Sequence, residues 1–172
     1  MNVETKYVEA VTLAALSADA PDASRQQTGA VVQALFEQVI NQMEAATADR
    51  TTPIARYQPT PPNSGEGECG GGDSASDGRR DSGAQAVRVT AGYALTGDQV
   101  PGLQDHVLPA THVAAVVHHG PMNTISTAYQ ELARWAESTG RPSAGLSWRE
   151  HYLEANGDDQ SHWIVEVQLE LD

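Results

Sequence analysis

Apolar residues recur at two different spacings along this chain, and the spacing predicts where helices and strands lie. Spacings of three and four residues predict one helix from about Ser24 to about Ala48 and another from about Thr124 to about Thr139. Gly140 favours a left-handed turn that ends the second helix. The two apolar stripes are formed by Val32, Leu35, Val39 and Met43, and by Ile125, Ala128, Leu132 and Trp135.

Runs rich in β-branched and aromatic residues predict strands around these helices. Residues 113–117 are apolar at every position, which is typical of a strand buried on both faces. In the last strands apolar and polar residues alternate instead. The predicted strands cover residues 3–16, 51–58, 86–95 and 111–120, with two more inside 145–171, and residues 96–109 are predicted to be a connector.

The predicted order is strand, helix, strand, strand, and it occurs twice. The segment PIARYQ lies in the first half where WREHYL lies in the second. Two such units predict an α+β fold, with an antiparallel sheet that carries both helices on one face. We expect one domain over residues 1–172, with half-repeats at 1–95 and 108–172 and a ligand groove between them.

Residues 59–85 interrupt the first half with the composition of a flexible insertion. Gly, Ser, Asp and Pro dominate this segment, and almost nothing in it is apolar. Its CGGGD run lacks the Lys-Ser/Thr pair of a phosphate-binding loop. The single cysteine of the chain, Cys69, excludes an intrachain disulfide and fits a reducing compartment.

The chain is strongly acidic, with 10 basic and 23 acidic residues and a net charge of −13. This charge disfavours binding to nucleic acid and favours a cationic ligand or a basic protein partner, although it also fits a surface kept acidic for solubility. No apolar run reaches the roughly 20 residues that span a bilayer, and the N-terminus lacks the pattern of a signal peptide. We therefore expect a cytoplasmic protein without membrane or nucleic-acid contacts, as a monomer or a dimer.

Two carboxylates, Glu150 and Glu166, lie among large aromatic residues near the C-terminus. Strand alternation places Trp148, Glu150 and Tyr152 on one face. A carboxylate between aromatic planes suits a flat cationic ligand, and it also suits a carboxyl group that acts as a base. The same pattern fits a hairpin with a charged, solvated outer face, so the pattern alone does not choose between these readings.

The adjacent histidines His118 and His119 do not predict a metal site. Neighbouring residues of a strand point to opposite faces, and no Cys, Asp or Glu joins them at ligand spacing. We therefore expect neither a metal nor a cofactor.

The order and spacing of several short motifs resemble the GyrI-like effector-binding domain family. The resemblance spans the chain apart from residues 59–85. In many relatives Trp and Glu are adjacent, whereas Arg149 separates them here, and Val165 stands where relatives often have Thr. The matching motifs are Leu108-Pro109, His119-Gly120-Pro121, Ala128-Tyr129, Leu132, Trp135, Gly140, Trp148, Glu150-His151-Tyr152, Trp163 and Glu166, with Pro53 to Tyr57 in the first half.

The resemblance implies a duplicated strand-helix-strand-strand fold and a set of site residues. In the drug-sensing members, an acidic residue among aromatics receives planar cationic compounds. By similarity, Glu166 matches that buried carboxylate best, and Glu150 with Tyr152 forms a second polar pair. The implied ligand-binding residues are Tyr57, Trp148, Glu150, Tyr152, Trp163 and Glu166.

Three functions are open at this point. The first is a standalone protein that binds flat aromatic or cationic small molecules of the drug or toxin type. The second is hydrolysis of cyclopropanoid genotoxins for self-protection, with Glu150 or Glu166 as general base and Tyr152 as hydrogen-bond donor. The third is a protein-interaction module that acts on gyrase or on a regulator through residues 59–85.

Overall fold

The computed structural model describes residues 2–22, 24–49, 51–59, 86–95, 97, 99–143, 145–155, 157 and 159–171. Within these residues the chain forms eight strands, two α-helices and two short 3-10 turns. The strands are β1 (Glu4–Val8), β2 (Val11–Ala20), β3 (Pro53–Pro59), β4 (Val87–Ala94), β5 (Gln104–Leu108), β6 (Thr111–His119), β7 (Trp148–Glu154) and β8 (Ile164–Glu170). The helices are α1 (Arg25–Ala45) and α2 (Ser126–Ser138), and the 3-10 turns are Met122–Thr124 and Gln160–His162.

The eight described strands form one antiparallel sheet, in the order β1-β6-β8-β7-β3-β4-β2-β5. Strands β3 and β7 pair at its centre, where Ala55 lies directly opposite Glu150. The two edge strands pair with partners distant in the chain, because β1 pairs with β6 and β5 pairs with β2. The predicted α+β fold is therefore confirmed, while its division into half-repeats at 1–95 and 108–172 stays a prediction.

Two predicted segments differ from the structure. Residues 3–16 do not form one strand, because the chain leaves the sheet at Glu9 and Ala10. Strands β1 and β2 lie near opposite edges of the sheet, so one strand has to end before the other begins. The predicted connector at 96–109 contains β5, which buries only Leu108 and owes its conformation to pairing with the distant β2.

Both helices pack on the same face of the sheet, which we call the helix-covered face. The predicted stripe residues Leu35 and Val39 of α1 and Leu132 of α2 are buried, and so is Ile125, which directly precedes α2. The main core joins the helices to small and β-branched residues of the strands. Among these strand residues are Ala55, Val89, Val116, Val165 and Val167.

The predicted ends of the helices have local causes. The hydroxyl of Ser24 accepts a hydrogen bond from the backbone N–H of Gln27 and caps the start of α1. Gly140 adopts a φ of 75° after α2, as the sequence predicts. Helix α2 itself begins later than predicted, because a 3-10 turn occupies Met122–Thr124.

The opposite face of the sheet, which we call the outer face, carries a buried ion cluster. Arg56 donates from Nε and Nη2 to the two carboxylate oxygens of Glu170, each at 2.8 Å. Arg149 donates from Nε to Glu170 at 2.5 Å, and from Nη2 to the carbonyl of Pro109. All three charged residues are buried. The cluster therefore links β3, β7 and β8 at the centre of the sheet.

Most of the predicted insertion, residues 60–85, lies outside the described residues. Strand β3 extends to Pro59, and the description resumes at Ala86. In the described part of the chain, no helix combines the length and apolar composition that crossing a membrane requires.

We expect Gly92→Ala to destabilise the fold by about 1–3 kcal/mol, because the added methyl would overpack the sheet. A Cβ at Gly92 would lie 2.6 Å from the Cβ of Ala15 and would press on the carbonyl of Ala14. Gly29→Ala is the matched control. Gly29 lies in helix α1, and a Cβ added there meets no described atom within 4 Å. The substitution should therefore stabilise the protein by about 0.5–1 kcal/mol. Urea unfolding measures both, and equal effects would contradict the packing of β2 on β4.

We expect Glu170→Gln to destabilise the protein by about 3–5 kcal/mol, because it leaves two buried guanidinium groups without their carboxylate. Burial tends to raise the pKa of Glu170, but the hydrogen bonds from Arg56 and Arg149 outweigh burial and lower it. The contribution of the ionised Glu170 to folding stability is therefore complete above pH 4.5, the ordinary pKa of a glutamate. It is lost as pH falls through the lowered pKa of the folded state. Urea unfolding as a function of pH should show a steeper acid loss for wild type than for Glu170→Gln.

Candidate functional site

A buried carboxylate, Glu150, lies at the centre of the helix-covered face with 0% of its surface exposed. Three phenol hydroxyls donate to it. Tyr152 and Tyr57 donate to Oε2 at 2.5 and 3.2 Å, and Tyr129 donates to Oε1 at 2.5 Å. Since a carboxylate offers about four acceptor positions, these three bonds fix its orientation.

The register of the central strands explains why two of these tyrosines converge. Ala55 lies opposite Glu150 in the antiparallel pair of β3 and β7. Tyr57 follows Ala55 by two residues, and Tyr152 follows Glu150 by two. All four side chains therefore share one face, and the two phenols flank the carboxylate from opposite sides. The third phenol, Tyr129, reaches the carboxylate from helix α2.

Two clefts open on the helix-covered face on either side of Glu150. Cleft 1 has a volume of about 630 Å³ and runs along α1, and cleft 2 has about 330 Å³ and lies near the starts of both helices. Cleft 1 is lined by Gly29, Val32, Gln33, Phe36, Glu37, Ile40, Pro53, Tyr93, Met122, Glu150, Tyr152, Ala155, Gly157, Gln160 and Trp163. Cleft 2 is lined by Thr28, Tyr57, Pro59, Val87, Ser126, Tyr129, Gln130 and Trp148.

Five of the six predicted site residues lie at these clefts, and Glu166 does not. Glu150, Tyr152 and Trp163 line cleft 1, and Tyr57 and Trp148 line cleft 2.

Glu166 lies on the outer face instead. In the pairing of β7 with β8, Val167 lies opposite Glu150, and Glu166 lies opposite His151. The two glutamates therefore point to opposite faces of the sheet. This corrects the expectation of two acids side by side in one cleft.

Glu166 belongs to a polar group on the outer face. Its carboxylate accepts from Lys6 at 2.8 Å and from Gln168 at 2.6 Å. Burial tends to raise the pKa of Glu166, but these hydrogen bonds outweigh burial and lower it. Burial also lowers the pKa of the neighbouring His151 to about 4. The ion pair between Lys6 and Glu166 links β1 to β8. Glu166 therefore has a structural role on the outer face.

Most residues that line the clefts were not predicted as site residues, among them Phe36, Glu37 and Tyr129. The ring of Phe36 packs edge-on against Tyr152 at 5.6 Å. The signal for Phe36 was present, because Val32, Phe36 and Ile40 recur every four residues beside the core stripe of α1. Tyr129 follows the buried Ala128, and only the packing of α2 on the sheet reveals that it faces Glu150.

The two clefts differ in charge. The described residues that line cleft 1 include two acids, Glu37 and Glu150, and neither lysine nor arginine. Those that line cleft 2 carry no charge. Burial, together with the neighbouring Glu150 carboxylate, raises the pKa of Tyr152, which therefore stays a hydrogen-bond donor. Among the described residues, none forms a hydrogen bond with the buried Nε1 of Trp163 at cleft 1.

The histidine pair of β6 has separate surroundings. The buried His118 ring lies 3.1 Å from the carbonyl of Pro121, and His119 is exposed. Within the described residues, no three His, Cys, Asp or Glu side chains are grouped as metal ligands.

The chain belongs to the GyrI-like small molecule binding domain family, whose model matches residues 1–172. No curated protein sequence matches the chain.

Several solved structures share this fold at low sequence identity. The C-terminal domain of EcmrR is 19% identical with a TM-score of 0.61, over 99% of this chain and 97% of that chain. SAV2435 bound to tetraphenylphosphonium is 10% identical with a TM-score of 0.61, over 100% and 94%. A hydrolase encoded by lin2189 from Listeria innocua is 12% identical with a TM-score of 0.51, over 99% and 91%. At sequence identities this low, the structural similarity shows a common fold and nothing more.

We expect Tyr152→Phe to destabilise the protein by about 1.5–3 kcal/mol, the range for a hydrogen bond to a charged group. Tyr57→Phe should cost less, because its hydroxyl lies 3.2 Å from the carboxylate against 2.5 Å for Tyr152. Urea unfolding of both variants, alone and combined with Glu150→Gln, measures the two couplings. A larger coupling for Tyr57 than for Tyr152 would contradict the described geometry.

Proposed function

We propose that this GyrI-like chain binds planar cationic aromatic compounds in cleft 1, with Glu150 as their counter-charge. The observation that carries the proposal is the buried Glu150 carboxylate, fixed by three phenols at a cleft of about 630 Å³. That volume lies within the roughly 300–1,000 Å³ that small-molecule sites occupy.

The walls of cleft 1 suit a flat ring. Phe36, Tyr93, Tyr152 and Trp163 offer aromatic surface around the carboxylate. A cation near such ring faces gains about 0.5–2 kcal/mol for each interaction. Attraction to Glu150 adds to this gain, because the site excludes much of the solvent that would screen it.

The fixed position of Glu150 supports binding as well. Its carboxylate is already oriented by Tyr57, Tyr129 and Tyr152, so a ligand does not have to order it. Glu37 on α1 adds a second negative charge to the lining of cleft 1. The net charge of −13 attracts cations over longer distances.

Membership of the small-molecule-binding family supports this proposal. The structure of SAV2435, which shares the fold, is bound to tetraphenylphosphonium, an aromatic cation. We propose a ligand of the same general class for this chain.

Hydrolysis of cyclopropanoid compounds is the second candidate. The closeness of the Tyr152 hydroxyl to the Glu150 carboxylate favours it, because the two groups could act as acid and base. Two observations weigh against it. Glu166 lies on the outer face, and three phenols occupy most acceptor positions of Glu150. The protein-interaction hypothesis depends on residues 59–85, which lie almost wholly outside the described part of the chain.

We expect 10-methylacridinium, a planar cation, to quench tryptophan fluorescence on binding. Glu150→Gln should weaken this binding by about tenfold or more, since it removes the counter-charge and about 1.4 kcal/mol corresponds to tenfold. Glu166→Gln is the matched control. It removes a carboxylate from the outer face, so the affinity should change by less than about twofold.

Equal losses in the two variants, with both folded by circular dichroism, would contradict the role of Glu150 in cleft 1. A cyclopropane-bearing alkylator tests the second candidate. Its recovery unchanged after long incubation with excess protein would exclude hydrolysis of that compound, and its conversion would favour hydrolysis over simple binding.

A further inference from the structure

The two central strands build unequal clefts from equivalent positions. Pro53 precedes Ala55 by two residues, and Trp148 precedes Glu150 by two, in the strand pair where Ala55 faces Glu150. Pro53 therefore lines cleft 1, and Trp148 lines cleft 2. A large flat indole thus lines the smaller cleft, of about 330 Å³, at the position where a proline lines the larger one.

The described residues that line cleft 2 carry no charge, and three of them are aromatic. The rings of Tyr129 and Trp148 lie 4.9 Å apart with an interplanar angle of 42°. Thr28, Ser126 and Gln130 add neutral polar groups at the cleft. Apolar and aromatic walls with a few precisely placed polar groups are typical of small-molecule sites, and the lack of a charged group among the described lining residues favours an uncharged ligand here.

The Glu150 carboxylate is shielded from cleft 2 by phenols. Tyr57 and Tyr129 both line this cleft, and both donate their hydroxyl protons to Glu150. A molecule in cleft 2 therefore meets phenol oxygens and ring faces, and Glu150 itself is not among the lining residues. A cation there would lose its hydration without contacting a carboxylate, which is unfavourable.

We propose that cleft 2 is a second binding site, separate from cleft 1, for an uncharged planar aromatic molecule. Its ring stacks on Trp148 and Tyr129, and its polar edge bonds to Gln130 or Ser126. This goes beyond the proposed function, because the two sites prefer ligands of different charge. Glu150 and the three tyrosines that donate to it lie between the two clefts, with Tyr152 on the side of cleft 1 and Tyr57 and Tyr129 on the side of cleft 2.

The experiment uses two ligands of the same shape. Acridine is uncharged at mildly alkaline pH, and 10-methylacridinium has the same three rings with a permanent positive charge. Two substitutions fill one cleft each. Ser126→Phe fills cleft 2, and Gly29→Phe fills cleft 1, where a Cβ on Gly29 meets nothing within 4 Å. Equilibrium dialysis of the full chain measures both affinities.

Ser126→Phe should weaken acridine binding by about tenfold or more and change methylacridinium binding by less than about twofold. Gly29→Phe should have the reverse effect. Gln130→Phe, on the same wall of cleft 2, repeats the test if Ser126→Phe does not fold by circular dichroism. In wild type, acridine should also quench fluorescence from Trp148, and Trp148→Phe should remove that part of the quenching.

The second site is disproved if acridine does not bind wild type. It is also disproved if Gly29→Phe weakens acridine binding and the substitutions in cleft 2 leave it unchanged. Failure of the proposed function looks different. In that case methylacridinium does not bind wild type. Acridine still binds wild type, and Ser126→Phe still weakens its binding.

Discussion

The pairing of β3 with β7 is the constraint on which the rest of this structure depends. With Ala55 opposite Glu150, one face of the sheet brings Tyr57 and Tyr152 to the carboxylate. On the other face the same register places Arg56 opposite Arg149, and both guanidinium groups bind Glu170. A slip of one residue would turn every one of these side chains to the wrong face.

The two faces of the sheet provide different hydrogen-bond partners for their buried carboxylates. On the outer face Glu170 is matched by two arginines, and the cluster joins both halves of the chain. On the helix-covered face Glu150 accepts hydrogen bonds from three phenols, which orient it and carry no positive charge of their own. A carboxylate in such surroundings keeps its attraction for a cation, and this is the physical basis of the proposed binding in cleft 1.

Features set by local spacing could be predicted from the sequence, and features set by long-range pairing could not. The helix stripes, the turn at Gly140 and the common face of Trp148, Glu150 and Tyr152 all follow from local periodicity. Alternation also separated Glu166 from the buried Val165 and Val167. Only the register of β8 against β7 decides which face holds the clefts, and the family resemblance alone had favoured Glu166. The break between β1 and β2 and the pairing of β5 are equally non-local.

The pairing of the edge strands limits how the clefts can open. Strands β1 to β4 are joined to strands β5 to β8 through β1 with β6 and β2 with β5, in addition to the central contact of β3 with β7. A hinge motion that separates the halves would have to break all three ladders at once. Access to the interior is therefore left to smaller movements, such as a shift of α1 or a rotation of aromatic side chains. The sheet is therefore one continuous frame, and both clefts lie on its helix-covered side.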